Sequence, residues 1–569
     1  MINIEQLAQD RFPSLHDKPQ LIRQPLLSLL KNLFHESEIN CFLQEHTELG
    51  PFEFIDKVLE YFQFSYVVSA REKERIPAEG RVVIVANHPL GTLDGLVLLK
   101  LVSEIRSDVR IVTNDLLWQF EPLRPLLLPV DTLGQKNYRQ SLQQVQQSLM
   151  QEQAVIVFPA GEVSRMTPAG IRDGEWQKGF VHFARKTNSP ILPIHLGCHN
   201  SALFYSLSLL YRPLGGLMLV KEMFRQHATD LPVRIGDLIP LEHFDLPGLA
   251  LKAKIKLLKK HLYRLPKNKK PLFLTRKAIA AAENPIQVRD ELEQSERLGQ
   301  TQDGLSIYLV NYRPDSVVLR ELGRLREITF RRAGEGTGER RDLDTYDRNY
   351  QQLVLWNDAA MEIVGAYRLG ECSKLLEKNG LDGLYSASLF NHQQNLMPRL
   401  QEAVELGRSF VQPKYWGKRS LDYLWQGIGA YLHTRPQIKW MLGPVSISAA
   451  MPPAARDLLV IFYRYYYGQT LHLSTARAPY MVSDSGRAEA LELFSFKCAR
   501  EDFVALKQRL TCYGVTVPTL YKHYTDLCEP GGVHFLDFSV DAAFNYCIDG
   551  LVLVEVDQVK SKKRQRYIG

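Results

Sequence analysis

The sequence predicts an α/β protein in two halves, and three observations carry that prediction. Over the first half, short runs rich in Val and Ile alternate with longer apolar segments at helical spacing. Buried strands separated by helices read this way. From about residue 266 the chain turns polar, and the run LSIYLVNY (305–312) then restarts an apolar, β-branched pattern. A length of 569 residues suits two large domains. The expected division is 1–265, a linker over 266–303, and 304–569.

Taken in order, residues 1–75 read as a helical leader. The strands expected next are 81–86 (RVVIVA), 109–113 (VRIVT), 154–158 (AVIVF), 190–197 (PILPIHLG) and 233–236, with helices over 95–105 and 138–151. In LALKAKIKLLKKHLYRL, Leu251, Ile255, Leu258, Leu262 and Leu265 fall on one helical stripe edged by lysines. That stripe suits a membrane surface or carrier-protein docking, and equally suits packing on its own domain. PKNKKP and VRDELEQSERLGQTQDG make the linker. In the second half LRELGRLREITFRR reads as a helix, MEIVGAYRLG as a strand ending near Arg368, and AVELGRSFV as another strand.

Composition narrows the class. Apolar residues make up 45% and charged residues 23%, which excludes wholesale disorder and low-complexity folds. The seven cysteines are odd in number, widely spaced and form no C-x-x-C pair. A disulfide framework and a zinc ribbon are therefore excluded, and buried reduced thiols are expected. The amino terminus lacks an apolar signal core, and no run of about 18 apolar residues occurs. A cytoplasmic protein is expected, peripheral at most. The net charge is +7, yet 252–277 alone carries eleven cations and no acid, which leaves −4 elsewhere. The tail KSKKRQR adds five more basic residues. Basicity this local points to a surface partner, and nothing points to nucleic acid.

RVVIVANHPLGTLDG places His88 and Asp94 directly after an apolar strand, where ligands bind in open α/β sheets. A His held by a carboxylate can act as a general base; without a serine, the substrate's own hydroxyl becomes the nucleophile. A loop His with an Asp capping the next helix fits the same spacing. AVIVFPAGEVSR repeats the strand–turn arrangement, with Gly161, Glu162 and Arg165, and is followed by Lys178-Gly179 and by Leu192-Pro193-Ile194. The order N-H-P-x-x-x-x-D, F-P-x-G-x-x-x-R, K-G, L-P-I resembles the glycerolipid acyltransferases over residues 70–245. That resemblance implies a His88–Asp94 dyad that deprotonates an acceptor hydroxyl while it attacks an acyl thioester. It also implies acceptor binding by Gly161, Glu162, Arg165 and Lys178. Five residues rather than the usual four separate His88 from Asp94, and F-P-A-G-E-V-S-R replaces F-P-E-G-T-R-S. The second change fits an acceptor without phosphate.

In the second half, Asp344 and Asp347 lie three apart, Arg368 ends a strand, and Glu405 and Arg408 share another. A carboxylate can take a proton from an attacking amine, and Arg can hold a substrate carboxylate. Turn caps and a structural Glu405–Arg408 ion pair fit the same residues. The order L-R-x-x-x-F, D-x-x-D, V-G-x-Y-R-L, E-L-G-R-S resembles the ornithine N-acyltransferases and, more distantly, the acyl-homoserine lactone synthases of GNAT-like fold. It covers 305–569. It implies that Arg326 and Phe330 shape the entry and pocket, and that Asp344, Asp347 and Arg368 hold the amino acid or organise the site. It implies Glu405 as base or relay, supported by Arg408.

The expected architecture is therefore a glycerolipid-acyltransferase-like α/β domain followed by a GNAT-like, acyl-homoserine-lactone-synthase-like α/β domain. The pairing resembles the bifunctional ornithine-lipid synthases. It implies N-acylation of ornithine by a 3-hydroxyacyl group from acyl carrier protein, then O-acylation of that hydroxyl. The partners implied are acyl carrier protein, the amino acid, the lyso-amino-lipid and the inner face of a bacterial membrane. Acyl carrier protein enters as a cosubstrate; no cofactor and no metal are expected. His195, Cys198 and His199 form the one tight group of metal-ligand types, and lack a fourth member.

Overall fold

The computed structural model of the chain describes residues 5, 20–113, 117–130, 138–168, 170–210, 212–226, 229–469 and 472–568. Of the helical leader expected over 1–75, residues 1–4 and 6–19 lie outside the described residues. The chain divides into two compact units, Met1–Ala281 and Ala282–Gly569.

In the first unit the leader forms α1 (Gln20–Leu33), α2 (Glu36–Glu45) and α3 (Pro51–Tyr61). The apolar runs then form β1 (Ser65–Val67), β2 (Val82–Ala86), β3 (Val109–Thr113), β4 (Leu127–Pro129) and β5 (Ala154–Val157). A hairpin of β6 (Arg165–Thr167) and β7 (Gly170–Arg172) precedes β8 (Ile191–Leu196) and β9 (Asp230–Ile235). Seven of these strands make one sheet in the order β1-β9-β8-β2-β5-β3-β4. From β8 to β4 the neighbours run parallel, and β9 is antiparallel to β8. Every residue of β2 and β5 is buried, because helices cover both faces. Ile84 and Ala86 face α4 (Thr92–Ser103) in one core, while Val83 and Val85 face α5 (Tyr138–Met150), α6 (Gly179–Thr187) and α7 (Leu251–Leu262) in the other.

The lysine-edged helix is α7. Ile255, Leu258 and Leu262 are buried in the second of those cores, so the stripe packs on its own unit rather than a bilayer. Lys252, Lys256 and Lys260 are exposed on its outer side, whereas Lys254 is buried against Asp245.

The stretch 266–303 carries more structure than a linker. Arg276 bridges Leu238 of the first unit. α8 (Pro285–Glu293), capped by the Asn284 side chain, and β10 (Glu296–Gln300) belong to the second. Its polarity reflects an edge strand that leaves most of its side chains to water.

The second unit continues with β11 (Ser306–Val310), α9 (Val317–Arg332), β12 (Gln351–Asn357), β13 (Glu362–Glu371), β14 (Phe390–His392), β15 (Ala403–Val411), α10 (Ser420–His433), β16 (Trp440–Ile447), α11 (Pro453–Tyr467), β17 (Ser474–Ala476), β18 (Val533–Asp541) and β19 (Cys547–Glu555). Its main sheet runs β10-β11-β12-β13-β15-β16-β19-β18. Neighbours are antiparallel except β15 and β16, which run parallel and pair only at Ala403–Trp440, Val404–Met441 and Glu405–Leu442. Beyond Glu405 the ladder stops and the two strands part. A bulge faces β13 at the same place: Arg368 pairs with Gly407 and Ala366 with Phe410, and Arg408 has a φ of 47°. α10 packs Leu424 and Ile428 on Leu353 and Leu355 of one sheet face, and α9 packs Leu322 and Leu325 on the other.

No helix among the described residues is long and apolar enough to cross a membrane. The seven cysteines are free. Cys372, Cys528 and Cys547 are buried as expected, but Cys41 and Cys512 are exposed on helices whose outward faces hold them. Among the described residues no group of three His, Cys, Asp or Glu is placed to hold a metal ion.

Candidate active sites

The first site lies in the turn between β2 and α4. Gly91 has a φ of 103°, a conformation that a side chain resists, and it swings the chain so that Asp94 points back under His88. Asp94 Oδ2 lies 3.0 Å from His88 Nδ1 and accepts the Leu90 and Gly91 amides at 2.8 and 3.0 Å. The cap and the dyad are thus one structure. Asp94 is wholly buried, which pushes its carboxyl up, while His88 and the two amides pull it down. The carboxylate accepts a hydrogen bond from Nδ1–H, which leaves Nε2 as the free lone pair. The His88 ring stacks on Phe158 with centroids 4.0 Å apart.

A second carboxylate, which motif reading missed, holds the backbone. Asp173 Oδ1 accepts the His88 amide at 3.1 Å and the Ser164 hydroxyl at 2.6 Å, and Oδ2 accepts Trp176 Nε1 at 2.8 Å. The Ser164 amide donates to the His88 carbonyl at 2.7 Å. The blocks around His88 and Arg165 are thereby locked together. Arg165 donates from both Nε and Nη2 to a single oxygen, Oε2, of Glu162, at 3.1 and 2.7 Å. Gly161 sits at a φ of 65° in the turn, and Lys178 is exposed at the start of α6. Nothing in the local spelling marks Asp173; only the fold brings it to His88.

In the second unit Arg326, Arg368 and Arg408 meet Asp342, Asp344 and Asp347. Arg326 donates to Asp347 at 3.0 Å and to Gln352 at 2.5 Å. Arg368 donates to Asp344 at 2.6 Å and Asp347 at 3.3 Å. Arg408 reaches Asp344 at 3.3 Å, Asp342 at 3.1 Å and the Tyr385 hydroxyl at 3.1 Å. Burial opposes ionisation of Asp347, but Arg326 and Arg368 hold its carboxyl well below the usual range. Asp344 and Asp347 also cap the turn at 345–348 for each other. Three cations thus meet three acids, and both Asp344 and Asp347 are engaged by arginines. Phe330 packs edge-on to Phe544, 5.0 Å between centroids, and the Arg408 guanidinium lies 5.1 Å from the Phe544 ring.

Glu405 is buried, and its oxygens are occupied by the Tyr350 hydroxyl, the Tyr385 amide at 2.9 Å and the Ser386 amide at 2.7 Å. It clamps that turn beside the parting strands, and among the described residues it pairs with no arginine. Glu335, just past α9, accepts no hydrogen bond among the described residues; burial and Asp549 push its carboxyl up to about 8, against Arg408. Burial also lifts Asp549 to about 6, although Ser446 donates to it at 2.6 Å. Tyr385 links Arg408 to Asp541. None of these three acids was legible as a site residue, because they come from separate segments that meet only at the strand split.

A His–Asp dyad over an α/β sheet, and a second sheet opened between two parallel strands, define a two-unit acyltransferase. The acyltransferase family matches residues 10–270 and the acetyltransferase (GNAT) domain matches 325–426. A glycine N(alpha)-acyltransferase of Phocaeicola vulgatus is 31% identical over 295 residues, 49% of this chain and 89% of that one. A lyso-glycine lipid O-acyltransferase of Bacteroides thetaiotaomicron is 31% identical over 252 residues, 43% and 90%. An L-ornithine N(alpha)-acyltransferase of Brucella abortus is 34% identical over 239 residues, 40% and 75%. The chain belongs to this family of amino-acid-lipid N- and O-acyltransferases, an acyltransferase domain followed by a GNAT domain.

Proposed function

We propose that the chain is a bifunctional enzyme that builds ornithine lipid in two steps. The second unit transfers a 3-hydroxyacyl group from acyl carrier protein to the α-amine of ornithine. The C–N bond forms, the C–S bond breaks, and the thiol leaves with the proton that the amine releases. The first unit then esterifies the new lipid's hydroxyl. His88 Nε2 takes the hydroxyl proton as the oxygen attacks a second acyl thioester, and returns it to the departing thiolate. Neither step calls for a metal or another cofactor. Arg165, if it shares Glu162, and Lys178 are the cations for the lyso-lipid carboxylate. The lipid product suits action at the inner face of the membrane.

One observation carries this reading: a dyad unit and a GNAT unit share a chain whose relatives are named for both successive reactions. For the amino acid, glycine is the rival. Ornithine is favoured because Glu335, Asp541 and Asp549 lie about Arg408 without arginine partners of their own, and a second ammonium would suit them. The test is lipid mass spectrometry in a bacterium free of amino-lipids. Wild type is expected to make a diacyl ornithine lipid, His88→Ala the mono-acyl form, and Glu405→Ala neither until mono-acyl lipid is supplied. A shift in phospholipid chains alone, with no nitrogen lipid, would overturn the reading.

A further inference from the structure

The first unit has a concave basic feature that reaches the dyad through Asp173. It is a cavity of about 510 Å3 between the β6–β7 hairpin and the outer side of α7 with its following turn. Arg172, Lys256, Lys260, Arg264, Lys267 and Lys269 line it, with Lys259 in its wall and Tyr263 beneath. Asp173 is the lone acid among the lining residues, and its oxygens already serve His88, Ser164 and Trp176.

Helix chemistry explains only part of this charge. Cations in the last turn of α7 complement the helix dipole, which covers Lys259 and Lys260 but not Arg172, Arg264, Lys267 or Lys269. Internal pairing does not explain the rest. Lys252 meets Glu175 and Lys254 meets Asp245, whereas no carboxylate partner is found among the described residues for Lys256, Lys260, Lys267 or Lys269. Lys259 donates to the carbonyls of Asp173 and Gly174 at 2.6 and 2.5 Å, and Arg172 lies 5.1 Å over the Tyr263 ring. The buried Nε of Arg264 has no hydrogen-bond acceptor. Uncompensated like charges around a concavity repel one another and concentrate anions there. A single carboxylate has too few oxygens for this many donors; a phosphate presents more.

We propose that this cavity binds the phosphate of the acyl donor's phosphopantetheine arm and so delivers the thioester to His88. The proposal rests on the acyl-transfer reading of the first unit. The floor links the two places directly: Asp173 donates its amide to the Tyr263 hydroxyl at 2.9 Å, and its carboxylate accepts the His88 amide. A membrane headgroup presents the same phosphate chemistry, but a concave cavity whose helix keeps its apolar stripe inside suits an arm better than a lipid surface.

The probes are 4′-phosphopantetheine and pantetheine, which differ only in the phosphate, titrated by calorimetry onto the full chain. The phosphorylated probe is expected to bind at least tenfold tighter, with the preference lost in the triple variant K256E/K260E/K267E. The same variant is expected to raise the donor KM of O-acylation tenfold or more and leave kcat within about twofold, since the dyad is untouched. Equal binding of the two probes, or a preference that survives charge reversal, would overturn the proposal. So would an unchanged donor KM accompanied by lost binding to phosphatidylglycerol vesicles, which assigns the cations to the membrane. Binding of the probes needs no turnover, so a phosphate preference without O-acylation would reject the enzymatic reading and not the cavity.

Discussion

The two carboxylates under His88 have separate tasks. Asp94 holds the ring and fixes which nitrogen carries the proton; Asp173 holds the backbone that carries the ring. In the second unit, Glu335 contrasts with the arginine-bound aspartates. Its carboxyl is raised by burial and by Asp549 from 4.5 to about 8, so the folded unit keeps a proton that the unfolded chain releases between those values. Stability therefore falls as pH rises through that window. Glu335→Gln is expected to flatten the fall by about 1–3 kcal/mol, read as a smaller drop in Tm between pH 5 and 8. If Glu335 also meets the ornithine side chain, the variant raises the KM for ornithine several-fold and that for glycine little.

Two elements decide where chemistry sits. β15 and β16 hold together for three residue pairs and then separate, with Glu405 at the last of those pairs. The bulge that gives Arg408 its left-handed φ turns that side chain toward Asp342 and Asp344 at the same level. α7 is the other decisive element. Leu258 is fully buried, so Leu258→Ala is expected to destabilise the first unit by about 2–5 kcal/mol, seen in thermal melts. Its binding to anionic vesicles should not change. Loss of vesicle binding at unaltered Tm would return the stripe to the membrane.

At the scale of the molecule, each unit has its own sheet and cores. The intermediate proposed between them is a lipid free to diffuse in the bilayer. Co-expressing the His88→Ala and Glu405→Ala proteins is therefore expected to restore the diacyl lipid, because each retains one working unit. Mono-acyl lipid alone would mean that the intermediate passes only within one chain.

Much of this was legible in the residues. Strand runs such as 109–113 became strands at the stated bounds, since β-branched runs between turn signals have few other ways to bury themselves. The blocks around His88 and Arg165 were readable because an adjacent strand and turn are local in sequence. The sequence by itself determined the two α/β units, the turn that carries His88 and Asp94, and the lysine-edged helix. Only the tertiary structure decided which side of that helix is buried, that 285–300 joins the second unit, and that Asp344 and Asp347 are spent on arginines. It alone brought Asp173 to His88 and Glu335 toward Asp549. The physical reason is range: periodicity and capping act over a few residues, whereas burial and charge pairing join side chains up to hundreds of positions apart.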